Sequence, residues 1–230
     1  MPWLYFDYSY LLFVIPPLIF AMWAQFKVKS TFHKYSAYHS AQGHTAVSVA
    51  RHILDSNGLF QVRIEMTSGN LTDHYDPRTN VIRLSESVYH STSVAAIGVA
   101  AHEVGHAIQH AKGYFPIKIR NAVIPITNIG STLAFPLAIL GIAFSFDALI
   151  TIGILLFATV VFFQLITLPV EFNASRRALE TIKNDHFLAG EEYNGAKKVL
   201  TAAALTYVGA LLVALGNFLR LLALSGRRRR

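Results

Sequence analysis

The sequence predicts a mainly α-helical integral membrane protein, with about four transmembrane helices and a small α+β domain. The first observation is composition: 53% of the residues are hydrophobic and only 14% are charged, against roughly 25% charged in ordinary soluble domains. The second is distribution, because the apolar residues collect in four blocks. The third is that lysines and arginines stand beside these blocks, as they do in membrane proteins.

Four blocks are long enough to span a membrane, since a helix needs about 20 apolar residues to cross the hydrocarbon core. They are residues 5–26, 123–144, 148–168 and 201–219. The middle two blocks contain no Lys, Arg or Glu, which argues against buried helices of a soluble core. Only residues 145–147 separate them, so we expect a tight hairpin. No basic residue precedes the first block, which favours an uncleaved anchor over a signal peptide.

The blocks divide the chain into five parts. They are an N-terminal transmembrane anchor (1–26), the first part of a soluble domain (27–122), a transmembrane hairpin (123–168), the second part of that domain (169–200), and a C-terminal helix with an arginine tail (201–230). The positive-inside rule places both soluble parts in the cytoplasm of a multi-pass cell-membrane protein. The tail would then lie outside, unless the last helix lies partly in the interface.

The soluble parts show helical and strand periodicities. The predicted elements are a helix over 45–56, a strand over 60–66, a loop over 73–80, a strand over 80–84, a helix from a cap at Ser91, Thr92 or Ser93 to His110, and a new helix opening at Pro169. The fourth apolar block is expected to continue a helix that begins in the polar sequence near Glu191.

Composition also restricts the chemistry. The chain has no cysteine, so disulfides and thiolate metal ligands are excluded, and a metal site must use histidines and carboxylates. The formal charge of +7 does not indicate nucleic-acid binding, because no basic run interleaves with aromatic residues. Cations beside apolar blocks suit the lipid bilayer and its anionic headgroups better.

Residues 102–106 read His-Glu-Val-Gly-His, the H-E-x-x-H pattern. Histidines four apart on a helix share one face, so His102 and His106 can bind one metal ion. Glu103 then lies beside the ion as a general base. Chance would give this pattern roughly once in a hundred such sequences, and the apolar, small-residue helix before it suits a buried site. The alternative is a pair of satisfied core histidines.

A catalytic zinc has three protein ligands, so one ligand must come from elsewhere in the chain. Glu171 is a candidate because it follows the third apolar block, although an early glutamate can also simply favour a helix dipole. His110 lies on the same helix face as His106 but near the helix end, where a solvated role is expected. His74 lies in a loop, where it is either exposed or in contact with substrate.

Four segments of the chain form longer motifs: residues 71–78 (LTDHYDPR), 81–85 (VIRLS), 95–109 and 170–178 (VEFNASRRA). In these segments the chain resembles the YugP-like neutral zinc metallopeptidases of bacteria, and the resemblance covers nearly the whole chain. The family is similar in plan to the HtpX and CAAX prenyl-protease group of membrane gluzincins. That group carries a carboxylate four residues after the third ligand, where this chain has Ser175.

The resemblance implies a zincin-like catalytic domain that hydrolyses peptide bonds as a zinc metalloendopeptidase. It implies one Zn²⁺ per chain, held by His102, His106 and Glu171, with Glu103 as the general base. The implied partners are a peptide or protein substrate and the lipid bilayer, with no nucleic acid. We expect the strand over 80–85 to hold the substrate backbone as an added strand.

Two other functions are open to such a chain. A non-proteolytic zinc-binding membrane scaffold or adaptor would use four protein ligands and would not need Glu103. A metal-ion transporter would place ionisable residues inside its spans. The first three blocks contain no Asp, Glu, Lys or Arg after Asp7, since Asp147 lies in the turn between the second and third blocks. The sequence names neither the substrate nor the oligomeric state.

Overall fold

The computed structural model describes residues 8–226 and is a mainly α-helical membrane protein with one small sheet, which confirms the predicted fold class. Its helices are α1 (Tyr8–Phe13), α2 (Ile15–Ser36), α3 (Ala46–Ser56), α4 (Glu86–Tyr89), α5 (Val94–Ala111), α6 (Phe115–Ala143), α7 (Asp147–Asn184) and α8 (Gly190–Gly226). Its strands are β1 (Arg63–Thr67), β2 (His74–Asp76) and β3 (Val81–Ser85). The predicted side of the arginine tail concerns residues 227–230, which lie outside the described residues.

The chain forms two compact units. Within the described residues, one unit comprises 8–25, 119–168 and 205–226, and we call it the helical unit. The other comprises 26–118 and 169–204, and we call it the mixed unit because it holds the sheet. The five-part domain division stays a prediction, as does the placement of any part on one side of the membrane.

Four helical stretches are long and apolar enough to cross a membrane, as the four apolar blocks predicted. They are Tyr8–Ser36, Phe115–Ala143, Asp147–Asn184 and Gly190–Gly226. In the helical unit, α6 and α7 are joined by three residues, and Ser145 takes a positive φ of 60° in this turn. The tight hairpin is therefore confirmed. α8 begins in polar sequence and continues as a span, as expected.

The predicted new helix at Pro169 is wrong, because α7 passes through this residue without a break. Proline removes one backbone hydrogen bond and is unfavourable inside a helix. A long helix that is packed on its neighbours tolerates that loss, as α6 does at Pro125 and Pro136. As a result, residues on both sides of Pro169 belong to one continuous helix.

The sheet of the mixed unit has the strand order β1-β3-β2. β1 pairs with β3 in parallel, with Ile64 opposite Ile82, and β2 pairs with β3 antiparallel, with Tyr75 opposite Ile82. Two predictions are corrected here. The predicted loop over 73–80 contains β2, which at three residues is too short to show a period, and the strand predicted from residue 60 begins only at Arg63.

The role expected for β3 in binding substrate is also wrong. β3 is the central strand, so both of its edges already pair with protein, through β1 on one side and β2 on the other. Beyond the end of β2, the Asp73 carboxylate accepts a hydrogen bond from the Ser85 N–H at 2.7 Å. No length of β3 is therefore left to pair with a peptide.

Helix α5 forms the centre of the mixed unit. The Ser93 hydroxyl caps its N-terminus by accepting from the Ala96 N–H, and the chain leaves its C-terminus through Gly113 at a φ of 63°. Its apolar face packs into a core shared with α3, β3, α7 and α8. Fully buried members of that core are Ile53, Leu54, Ile82, Leu84, Ile97 and Ile182.

Candidate metal centre

The two histidines of the H-E-x-x-H pattern lie one turn apart on α5 and point to one place. Their Nε2 atoms are 3.1 Å apart, and their ring planes are nearly perpendicular, at 87°. Both side chains are largely buried, with 12% of their surface exposed. Helix geometry alone produces this convergence, because side chains at i and i+4 share a face.

Glu171 reaches the same point from α7. Its Oε2 lies 3.3 Å from His102 Nε2 and 3.4 Å from His106 Nε2. The approach depends on Gly105, since a Cβ there would lie 2.6 Å from the Ala174 carbonyl oxygen. The missing side chain lets α5 and α7 come close enough for a glutamate to bridge them. Among the described residues, these three form the group whose ligand atoms could hold a metal ion.

The three ligand atoms fit a zinc ion. Zinc in proteins is tetrahedral, with bonds of about 2.0–2.2 Å to nitrogen and oxygen, which places its ligands about 3.3–3.5 Å apart. The separations of 3.3 and 3.4 Å from Glu171 to the two histidines match that spacing, and the 3.1 Å between the two imidazole nitrogens is slightly shorter. Two imidazoles and one carboxylate also match the donor set of catalytic zinc sites, which keep the fourth position open.

The Glu103 carboxyl is buried beside these three candidate ligands, with 8% of the residue exposed. Burial raises its pKa to about 7, and the negative charges of Glu171 and Asp73 act in the same direction. The charge on His102 and a hydrogen bond from the Tyr75 N–H oppose the shift. A pKa near neutrality suits a group that must both take and return a proton.

The structure adds Asp73, which the sequence did not single out. Its carboxylate accepts from both the N–H and the hydroxyl of Ser85, and burial raises its pKa although these bonds oppose the rise. Because the charge of Asp73 acts on Glu103, it helps to raise the pKa of that carboxyl. An acidic residue beside a strand is too common for the sequence to indicate this role.

Each histidine of the candidate metal site has a polar side chain beside the ring nitrogen that faces away from the site. His102 Nδ1 lies 3.0 Å from the Ser175 hydroxyl, and His106 Nδ1 lies 3.0 Å from Gln109 Oε1. Both partners are uncharged, whereas a carboxylate is the common partner of such histidines. Ser175 was noticed in the sequence as a missing carboxylate, but Gln109 was missed. The available signal was the position of Gln109 three residues after His106, on the same face of the helix.

His110 and His74 do not join the group. His110 is exposed at the end of α5, where its ring meets that of Tyr75 at a centroid distance of 6.0 Å. His74 is exposed on β2, and its Nδ1 lies 2.8 Å from the Thr72 carbonyl oxygen. The exposed position of His110 agrees with the solvated role that the sequence predicted for it.

A histidine pair on one helix, a carboxylate from a second helix and a buried glutamate beside them are the arrangement typical of zinc metallopeptidases. The chain belongs to the family described as "Putative neutral zinc metallopeptidase", whose model matches residues 10–226. It is 50% identical over 220 residues to a Bacillus subtilis (strain 168) protein described as "Putative membrane protease YugP", covering 95% of this chain and 98% of that protein. No solved structure matches the chain.

Proposed function

We propose that the chain is a membrane-bound zinc endopeptidase of the gluzincin type, with one Zn²⁺ held by His102, His106 and Glu171. The observation that carries the proposal is the triangle of their three ligand atoms, with sides of 3.1–3.4 Å, next to the buried Glu103 carboxyl. Membership of a zinc metallopeptidase family supports the same assignment.

Glu103 performs the proton transfers in this mechanism. A zinc ion in the site supplies an activated water and polarises the scissile carbonyl. The Glu103 carboxylate takes the proton from the attacking water, holds it on a carboxyl oxygen, and passes it to the nitrogen of the leaving amine. The Tyr75 N–H, which donates to this carboxylate, keeps it in place during both transfers.

The substrate is a peptide or protein that reaches the mixed unit at the membrane surface, and we place this unit in the cytoplasm. The lysines and arginines flanking the spans support that side, among them Lys27, Lys29, Lys118 and Arg176. The chain has no cysteine, so single cysteines introduced at Ser56 or at Phe146 give a clean labelling assay. Labelling of position 56 from outside intact cells would contradict this orientation.

The decisive variant is Glu103→Gln, which keeps the shape of the side chain and removes its ability to accept a proton. We expect hydrolysis of a mixed peptide library to fall by about 10²–10⁴-fold, the usual contribution of a general base, while zinc content stays at one per chain. Glu86→Gln is the matched control, because Glu86 is an exposed glutamate. It should keep full activity.

Comparison of the wild type with the Glu103→Gln variant also distinguishes a protease from a zinc-binding scaffold. Wild-type protein that binds zinc but cleaves nothing in membranes would favour the scaffold. Cleavage that continues in the Glu103→Gln protein would contradict the proposed base. Substrate trapping with this variant, followed by identification of the proteins that co-purify, then gives the substrate class.

A further inference from the structure

The side chain of Gln109 is fully buried on α5 and joins the two helices that carry the candidate ligands. Its Oε1 faces His106 Nδ1 at 3.0 Å. Its Nε2 donates to two acceptors on α7, the Val170 carbonyl oxygen at 2.7 Å and Asn173 Oδ1 at 3.0 Å. One amide therefore uses its acceptor on one helix and its donors on the other.

The chemistry of these partners fixes which way the amide points. The Val170 carbonyl can only accept, so the nitrogen of Gln109 must face it. Asn173 Oδ1 also receives the Arg177 Nε–H at 2.8 Å, and a guanidinium can only donate. Asn173 must therefore present its oxygen to Gln109. Both constraints agree, so Gln109 has a single orientation that satisfies its neighbours.

That orientation decides the form of His106. Gln109 Oε1 can only accept, so the hydrogen of the neutral His106 ring must lie on Nδ1. The lone pair then lies on Nε2, the atom that faces His102 and Glu171. The partner of His102 is different, because the Ser175 hydroxyl can donate or accept and does not fix the tautomer.

We propose that Gln109 is a positioning residue, held by Val170 and Asn173, that sets the metal-binding tautomer of His106 before zinc arrives. The proposal rests on the proposed zinc site. Gln109 also sets the register of the helices, since Val170 is the residue next to Glu171 and its carbonyl is bound to α5. The acceptor for His106 and the docking of the Glu171 helix thus depend on one side chain.

The first test removes the hydrogen-bonding atoms of the Gln109 side chain and keeps the volume of that side chain. In Gln109→Met protein we expect zinc affinity, measured by chelator competition, to fall about 10–100-fold, as for other partners of ligand histidines. Gln61→Met is the matched control, because Gln61 is exposed in the same unit. Equal zinc affinity in the Gln109→Met, Gln61→Met and wild-type proteins would overturn the proposal.

The second test uses the metal-free protein and needs no activity. Nitrogen NMR of labelled histidine, with His106→Asn protein for assignment, should show hydrogen on Nδ1 of His106 in the wild type and loss of that preference in Gln109→Met. A wild-type His106 with its hydrogen on Nε2 would contradict the proposal. Zinc binding without proteolysis would instead contradict the proposed function and leave the role of Gln109 standing.

Two variants of Asn173 test the proposal if Gln109→Met fails to fold. Asn173 takes part only as an acceptor through Oδ1 in these bonds, so Asn173→Asp should keep zinc affinity within about threefold of wild type, while Asn173→Leu should lose about tenfold or more. A loss of the same size in both variants would show that the acceptor is irrelevant, and would overturn the proposed anchoring of Gln109.

Discussion

Two close helix approaches, one in each unit, rely on the same device and have different consequences. In the mixed unit α5 meets α7 at Gly105, where a Cβ would lie 2.6 Å from the Ala174 carbonyl oxygen. In the helical unit α6 meets α7 at Gly130, where a Cβ would lie 2.5 Å from the Leu156 carbonyl oxygen. The first contact has the candidate metal ligands around it, whereas at the second the Cβ would also lie 2.8 Å from the Thr159 hydroxyl, in the small-residue packing that joins membrane helices. The two contacts therefore differ in the side chains that flank them: metal-binding groups flank only the contact at Gly105.

Gly105→Ala tests the first contact and should have the largest effect. The new methyl group forces α5 and α7 apart, which moves Glu171 away from His102 and His106. We expect zinc affinity to fall about 100-fold or more, on the scale of a disrupted ligand shell. Chelator competition on purified protein measures this. Gly98→Ala is the control on the same helix, because its Cβ would come no closer than 3.4 Å to a neighbour, the Ala196 Cβ, which is ordinary contact.

Gly130→Ala tests the second contact. We expect overpacking to cost about 1–3 kcal/mol of stability, seen as a lower unfolding temperature in detergent, with zinc affinity within about threefold of wild type. If Gly130→Ala released zinc as readily as Gly105→Ala, the two contacts would not be separate in function.

The placement of His102, Glu103 and His106 on one helix could be predicted from the sequence because that information is local. Residues 102–106 fix their own geometry on one helix, and residue type narrowed the cap to residues 91–93, of which the structure uses Ser93, and indicated the exit at Gly113. Helix length and apolar composition predicted the spans equally well. Glu171 was left with two readings on spacing alone, since nothing local distinguishes a ligand from an early-helix glutamate.

The remaining features depend on partners that are distant in the chain. Gln109 meets Val170 and Asn173 at separations of 61 and 64 residues, and no pattern around residue 109 shows this. β2 is a strand only because β3 lies beside it. The continuity of α7 through Pro169 likewise reflects packing, which overrides the local preference of proline to begin a helix.

The buried Glu103 carboxyl should make the metal-free protein sensitive to pH. Its folded pKa of about 7 lies above the ordinary value of 4.5. Between these values the unfolded chain loses a proton that the folded chain keeps, so stability should fall as pH rises from about 4.5 to about 7 and stay level beyond. The loss should be on the order of 3 kcal/mol.

Glu103→Gln is the comparison that isolates this term. As pH rises from about 4.5 to about 7, the unfolding free energy of the chelator-treated wild type should fall relative to that of the variant. The reason is that the glutamine side chain has no proton to lose. Urea titrations at several pH values measure the difference. A difference that stayed constant from pH 4.5 to pH 7 would show that Glu103 is not the titrating group.

The smallest effect is expected from removing the hydroxyl partner of His102. Ser175→Ala removes the partner of His102 Nδ1, but that hydroxyl never fixed the tautomer, and His102 remains beside His106 and Glu171. We expect zinc affinity to fall only about threefold to tenfold, below the 10–100-fold expected for Gln109→Met. Ser56→Ala, at an exposed serine, is the control. A larger loss for Ser175→Ala than for Gln109→Met would mean that His102 is the ligand whose orientation limits zinc binding.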